Sequence, residues 1–140
     1  RLFPVGRLDY DAEGLILLTN DGDLAHQLMH PRHKVSKGYF VKVRGILENK
    51  GLSDLRKGPV IDGRRHQQVR VKILHNVNDK TWLELFLREG TNRQIKKMFQ
   101  KIGYPVQKIK RFQIGSIMLG DLLSGESRAL SPKEIKQILN

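Results

Sequence analysis

The 140 residues provide one domain's worth of chain, with 39% hydrophobic residues and no cysteine, which excludes disulfide frameworks, thiolate nucleophiles and the common zinc fingers. No apolar run is long enough to cross a membrane and the first residues lack the pattern of a signal peptide, so we expect a soluble cytoplasmic protein. The net charge of +12 is too large to be incidental, because like charges destabilise a compact chain, and it favours a polyanionic partner.

The first half of the chain is predicted to contain two strands and two helices. The apolar run Leu15–Thr19 predicts a buried strand. Asp21 is the expected N-cap of a helix that ends at Pro31 and whose inward side chains are Leu24, Ala25 and Leu28. Alternating apolar and polar side chains predict a second strand at residues 38–45, and a weak surface helix follows at residues 48–58.

The second half is predicted to open with an antiparallel hairpin, formed by residues 66–74 and 80–89 around a polar turn. Residues 91–103 give the clearest helix, with a capping box of Thr91 and Gln94, a closing glycine, and an apolar stripe of Ile95, Met98, Phe99 and Ile102. Strands follow within residues 106–119, and Ser131 opens a final helix with Pro132 in its first turn.

The order of these elements indicates an α+β fold with a mixed, largely antiparallel sheet flanked by helices. No linker or repeat interrupts residues 1–140, so we expect a single domain. Its charge is unevenly distributed: residues 1–33 carry a net charge of −2, whereas residues 34–140 carry +14. Residues 88–112, with a net charge of +7, form the best candidate for a phosphate-binding face.

Three carboxylates, Asp9, Asp11 and Glu13, crowd into five positions before the first apolar run. Their spacing partly matches a calcium-binding EF-hand loop, but Asn20 stands where a bidentate glutamate is needed, and we do not expect calcium. We expect Asp11 and Glu13 to be solvated charges on a loop. Asp9 differs because it directly follows an apolar residue that can anchor it beside a cleft, although position alone does not make it catalytic.

The basic helix offers a cation for such a carboxylate. On a helical wheel, Lys96 lies at the edge of the apolar stripe, and the cations on the opposite face are Arg93, Lys97 and Lys101. Lys96 could present its ammonium to a cleft, but ordinary snorkelling of its side chain without a partner explains the same position. The histidines His26, His30 and His33 lack a completing carboxylate motif, so we expect no metal.

Four stretches together resemble a known family, the ribosomal-RNA pseudouridine synthases of the RsuA/RluB type. They are GRLDYDAEGLILLTNDG at residues 6–22, KGYFVKVRG at 37–45, REGTNRQIKKMF at 88–99, and VQKIKRFQIGSIML with GESRALSPKEI at 106–135. The resemblance spans essentially the whole chain. It implies the pseudouridine synthase fold and the conversion of a chosen uridine in ribosomal RNA into its carbon-linked isomer, without cofactor or metal.

The resemblance also implies roles for individual residues. Asp9 matches the essential catalytic aspartate of the GRLD motif, Tyr39 the tyrosine that contacts the base, and Lys96 the basic partner of the aspartate. Ile109 matches the apolar residue that packs against the target base, and Arg7 resembles an arginine that reaches into the RNA beside the flipped nucleotide. We therefore expect Lys96 to lie next to Asp9 and to keep it ionised. Phosphate contacts are expected from Arg93, Lys97 and Lys101.

Family members usually also carry an N-terminal RNA-binding module and an opening strand of the catalytic domain. Because only eight residues precede Asp9, we expect this sequence to lack both and to be part of a longer protein. The motifs GRLDYD and LMHP favour a large-subunit ribosomal RNA as partner, and we expect a monomer. The alternative from another class is a non-catalytic RNA-binding or ribosome-associated domain. That alternative explains the charge equally well, but it gives no reason for a carboxylate in a basic cleft.

Overall fold

The centre of the computed structural model, which describes residues 1–88 and 93–138, is a six-stranded mixed sheet. Five strands follow one another in space, namely Ile117–Met118 (β10), Val106–Ile114 (β9), Lys37–Arg44 (β4), Lys80–Leu87 (β8) and Arg70–Val77 (β7). Every neighbouring pair among these five is antiparallel. The sixth strand, Glu13–Gly14 (β2), runs parallel to β9. The structure therefore confirms the predicted α+β class with a largely antiparallel sheet.

Two small ladders and four helices complete the fold. Phe3–Val5 (β1) pairs with Leu17–Thr19 (β3), and Val60–Ile61 (β5) pairs with Arg64–Arg65 (β6). The helices are Gly22–Met29 (α1), Asn49–Lys57 (α2), Gln94–Lys101 (α3) and Pro132–Gln137 (α4), with a 3₁₀ turn at Pro31–His33. No helix within the described residues is long and apolar enough to span a membrane.

The predicted caps of α1 and α4 are confirmed. The carboxylate of Asp21 accepts hydrogen bonds from the backbone N–H groups of Asp23 and Leu24. At α4, Ser131 and Glu134 each accept a hydrogen bond from the other's backbone N–H, which is a complete capping box. The side chain of Arg128 and the backbone of Ser131 donate hydrogen bonds to Glu134 and lower its pKa to about 2.

The start of α3 differs from the prediction, whereas its end matches. Thr91 lies outside the described residues, and the N-cap is Arg93, in a left-handed conformation (φ 55°) with no side-chain capping bond. The predicted capping box includes Thr91 and so lies outside the described residues, whereas Gln94 is the first residue of the helix and is buried. At the other end, the N–H groups of Gly103 and Tyr104 bond to the carbonyls of Gln100 and Phe99, a Schellman motif.

The predicted strand at residues 15–19 is confirmed only at Leu17–Thr19, and a separate two-residue strand, Glu13–Gly14, lies before it. Glu13–Gly14 pairs with β9 of the central sheet, whereas Leu17–Thr19 pairs with β1. The chain changes partner between them, and it is held there by a hydrogen bond from the Leu15 N–H to the carbonyl of Arg111. This change of partner fixes the end of the acidic loop against the central sheet.

Two hydrophobic clusters hold the domain together. The larger lies between the central sheet and the helices α2 and α3, and includes Val41, Leu83, Met98 and Phe99, all fully buried. The smaller joins α1, β3 and the end of β9 through side chains such as Leu28 and Ile114. Residues from both clusters line one cavity, so the site described next lies where the two clusters meet.

Candidate active site

A cavity of about 540 Å³ opens between the acidic loop, the sheet and the start of α3. Its walls include five of the eight residues singled out in the sequence: Arg7, Asp9, Tyr39, Arg93 and Ile109. They come from four separate parts of the fold, since the loop between β1 and β2 supplies two of them and β4, β9 and the N-cap of α3 supply one each. The structure thus brings together residues up to about 100 positions apart in sequence.

Arg111 braces the loop that carries Asp9. The side chain of Arg111 is only 4% exposed, its Nε donates to the carbonyl of Leu15 at 2.9 Å, and its Nη1 donates to the carbonyl of Arg7 at 3.4 Å. These two carbonyls flank Asp9 in sequence. Within the loop, the N–H of Ala12 donates to the carbonyl of Asp9 at 2.9 Å and closes a turn. One guanidinium therefore fixes both ends of the acidic loop.

Gly14 makes this bracing possible. A side chain at Gly14 would overlap the backbone of Arg111, whose nitrogen would lie 2.6 Å from an added Cβ. Gly14 also has φ +116°, a conformation that other residues rarely adopt. Only glycine therefore allows the two backbones to approach so closely. This contact places the acidic loop at the edge of the cavity.

The charged side chains in the lining of the cavity are almost all cationic. Among the described residues Asp9 is the one carboxylate in the wall, whereas four cationic side chains line it: Arg7, Lys37, Arg93 and Arg111. Burial, and then the charge of Arg111, lower the pKa of Lys37. The second terminal nitrogen of Arg111, Nη2, is buried without a hydrogen-bond partner among the described atoms. Such a lining attracts anions.

Sequence reasoning missed Lys37 and Arg111. Arg111 stands opposite Tyr39 in the sheet register and two positions after Ile109, so it shares the inward face with both. Strand alternation could have found it, since an arginine at an inward position must be bonded within the protein. Lys37 is likewise two positions before Tyr39 and lines the same cavity.

The expected pair of Asp9 with Lys96 is not formed. The ammonium of Lys96 makes an ion pair with Asp11, the carboxylate that we expected to be merely solvated. Asp9 makes no ion pair and accepts no side-chain hydrogen bond from any residue that the structure describes. The turn closed by Ala12 separates the two carboxylates, so that Asp9 faces the cavity while Asp11, with 52% of its side chain exposed, meets the helix.

The other two predicted cations of α3 lie away from the cavity. The ammonium of Lys97 bonds to the carboxylate of Asp62 at 2.9 Å, and this hydrogen bond lowers the pKa of Asp62. Lys101 lines a separate groove beside α2. Within residues 1–88 and 93–138, no three His, Asp or Glu side chains are grouped so that they could hold a metal ion. The rings of His26 and His30 lie 5.3 Å apart at their centroids, as neighbours on one helix face.

The comparisons with known proteins decide the family. The model of the RNA pseudouridylate synthase family matches residues 1–101 of the chain. This protein belongs to that family. The resemblance seen in the sequence and the predicted fold are therefore both confirmed.

Relatives of the whole chain agree with the family model. The chain is 39% identical over 140 residues to the ribosomal large subunit pseudouridine synthase B of Bacillus subtilis, covering 99% of this chain and 57% of that protein. It is 38% identical over 138 residues to an uncharacterised RNA pseudouridine synthase of Aquifex aeolicus, covering 99% of this chain and 55% of the relative. The chain thus spans little more than half the length of the curated relatives that it matches.

A solved structure shows the same fold. A crystal structure of a pseudouridylate synthase superimposes on 98% of this chain and 59% of its own with a TM-score of 0.89 and 32% sequence identity. The elements that build the cavity lie within the superimposed part of the domain, since the match extends over nearly all of the chain.

Proposed function

We propose that this chain isomerises a specific uridine of ribosomal RNA to pseudouridine, with Asp9 as the catalytic carboxylate. The observation that supports this most is the single carboxylate in a cavity whose other charged side chains are all cations. A domain that only bound RNA would gain nothing from a negative charge there, because it would repel the phosphates. The name of the Bacillus subtilis relative makes large-subunit ribosomal RNA the preferred substrate class.

The target uridine must leave the RNA stack before its glycosidic bond can be reached. Extrusion costs a few kcal/mol, and stacking on an aromatic ring returns about 1–3 kcal/mol per base. In this proposal the half-buried Tyr39 supplies that ring, and the buried Ile109 packs against the base from the neighbouring strand. Arg7, which is exposed at the rim, reaches into the RNA beside the vacated position.

The reaction breaks the bond between the ribose carbon C1′ and the ring nitrogen N1, and forms a bond from C1′ to the ring carbon C5. The uracil turns within the cavity between the two steps, after which C5 loses its proton and N1, released from the ribose, gains one. An ionised Asp9 acts on the nucleoside as nucleophile or as base. No redox step or external group is needed, because the product is an isomer of the substrate.

Four cations, and not Lys96, line the cavity together with Asp9. Their charge attracts the phosphates of the substrate towards the one carboxylate of the wall. Lys96 enters the proposal as a positioning residue, because its ion pair with Asp11 ties α3 to the loop that carries Asp9. Phosphate contacts are assigned to Arg93 in the wall and, farther along α3, to Lys97 and Lys101. We further propose a cytoplasmic monomer that needs neither metal nor cofactor.

The test is release of tritium from ribosomal RNA labelled at uridine C5. We expect the chain to release tritium and to produce pseudouridine at a discrete position, which sequencing of the modified RNA identifies. Binding of the same RNA is measured in parallel. Binding without tritium release would contradict the proposal and favour the non-catalytic RNA-binding alternative.

A further inference from the structure

The face of the central sheet opposite the cavity carries a second concentration of positive charge. Successive side chains of a strand point to opposite faces, so Tyr39 lines the cavity while Phe40 lies on the other side. Residues paired across neighbouring strands share a face, and Lys42 is paired with Lys108 on one side and with Trp82 on the other. We call this surface, formed by β9, β4, β8 and β7, the outer face.

The outer face has a large excess of cations. Seven cationic side chains lie on it, by register and alternation: Lys42, Arg44, Arg70, Lys72, Lys80, Lys108 and Lys110. Two carboxylates stand beside them, Glu84 in β8 and Glu13, which is paired with Lys110 from β2. Neither makes an ion pair within the part of the chain that the structure describes. Desolvation, and then the charges of Lys80 and Lys108, lower the pKa of Lys42. The cations therefore outnumber the acids by seven to two and repel one another.

Aromatic rings form the floor beneath these cations. Phe40 stacks on Phe112 at 4.1 Å between centroids, and Phe86 meets Phe112 edge-on at 5.7 Å. Arg70 lies 4.3 Å above the ring of Phe86, and the ammonium of Lys42 lies 5.6 Å from the centroid of Trp82. The rings are engaged with one another and with the cations, which leaves charge rather than base stacking as the means of recognition.

We propose that the outer face is a second RNA-binding surface, which holds the phosphodiester backbone of the substrate RNA outside the segment that enters the cavity. Charge complementarity carries this proposal, since a polyanion is the partner that relieves the mutual repulsion of these side chains. Four strands spaced about 4.8 Å apart give a surface roughly 14 Å wide, enough to follow several phosphates. The proposal deepens the proposed function and rests on RNA being the substrate.

The face also differs from the cavity in what it can recognise. Ammonium groups on flexible stems contact phosphates without reading bases, so the outer face adds affinity and orientation but no choice of nucleotide. The choice of uridine remains with the cavity. Loss of the outer face should therefore weaken RNA binding and leave the chemical step intact.

The test compares two triple variants that remove the same charge. One carries Lys42→Gln, Lys80→Gln and Lys108→Gln on the outer face, and the matched control carries Lys50→Gln, Lys133→Gln and Lys136→Gln on α2 and α4. Affinity for a ribosomal RNA fragment is measured as a function of salt. Since each phosphate contact contributes about 0.7–0.9 to the log–log slope, we expect the slope of the outer-face variant to fall by about 2–3 and that of the control to fall by less than about 1.

The rate of pseudouridine formation distinguishes a role in RNA binding, expected for the outer face, from a role in the chemical step, expected for the cavity. At saturating RNA we expect both triple variants to form pseudouridine within about twofold of the unchanged chain, after circular dichroism has shown that they are folded. An outer-face variant with unchanged affinity and slope overturns the proposal. Weakened binding in that variant, together with no product from any form of the protein, would support the outer face as an RNA-binding surface and contradict the proposed function.

Lysine acetylation of the unchanged chain provides a second readout that needs no variant. Ribosomal RNA should protect Lys42, Lys80 and Lys108 from the reagent and leave Lys133 and Lys136 reactive. Protection of the outer-face lysines in the absence of RNA would show that protein covers this face, either another segment or a second copy. That result overturns the proposal.

Discussion

The two faces of the central sheet use the same strands and the same kinds of side chain in opposite ways. On the cavity face, Arg111 is buried and bonded to two backbone carbonyls, and the cations surround one carboxylate. On the outer face, seven cations stand beside two carboxylates, Glu84 and Glu13, that make no ion pair within the described residues. Buried, bonded charges have a fixed geometry, whereas exposed ones are mobile and screened by salt. In this account, the buried charges of the cavity orient the groups that carry out the reaction, whereas the exposed charges of the outer face contribute only affinity for RNA.

The most damaging change to the cavity face should be Gly14→Ala. The new Cβ would overlap the backbone of Arg111, and the positive φ would add strain, so the parallel pairing of β2 with β9 cannot be kept. We expect a loss of about 3 kcal/mol or more in unfolding free energy, measured in urea, and loss of pseudouridine formation. The matched control is Gly22→Ala, which has open space around it and should be neutral. A stable, active Gly14→Ala variant would show that the close approach is dispensable.

Replacing one arginine on each face sharpens the comparison. Arg111→Lys keeps the charge but loses the two fixed bonds to the loop, and hydrogen bonds from charged groups are worth about 1.5–3 kcal/mol. We expect a stability loss of that order and a fall in kcat larger than any change in KM, since Asp9 loses its orientation. Arg44→Lys on the outer face should change neither stability nor kcat. Equal effects of the two substitutions would contradict the distinction between the faces.

A smaller effect is expected from Lys37, the half-buried lysine of the cavity. The folded-state pKa of Lys37 lies below 10.5, so its charge destabilises the fold fully below that folded pKa, and the penalty disappears as pH rises towards 10.5. Lys37→Met should therefore raise the free energy of unfolding at pH 7 by roughly 1 kcal/mol, with the gain shrinking by pH 10. The same variant should bind RNA less tightly, because an anion-attracting charge is gone. A Lys37→Met protein that is less stable at pH 7 would contradict this account.

Local signals in the sequence were sufficient for much of the fold. Asp21 and Ser131 are caps because their side chains bond to groups two or three residues away, and the hairpin of β7 and β8 follows from alternation around a turn. The apolar stripe of α3 likewise predicted which side chains are buried. These features depend on contacts between near neighbours, which is why pattern alone was enough.

The partners of the charged residues could not be predicted from the sequence, because these contacts join residues that are far apart in the chain or depend on the path of a loop. Arg111 bonds to carbonyls 96 and 104 positions earlier in the chain, so alternation identifies its face but not its role. Lys96 pairs with Asp11 rather than Asp9 because of the turn closed by Ala12. This turn determines which of the two carboxylates faces the helix. The left-handed conformation of Arg93, the N-cap of α3, is likewise not signalled by any local pattern in the sequence.

The most direct measurement of the central claim compares Asp9→Asn with Asp11→Asn for tritium release from C5-labelled ribosomal RNA. The two substitutions remove equal charge two positions apart in one loop, but only Asp9 lines the cavity. We predict that Asp9→Asn binds RNA within a few-fold of the unchanged chain and releases no tritium, whereas Asp11→Asn still forms product. An active Asp9→Asn protein, or loss of all product in Asp11→Asn alone, would contradict the assignment of the chemistry to Asp9.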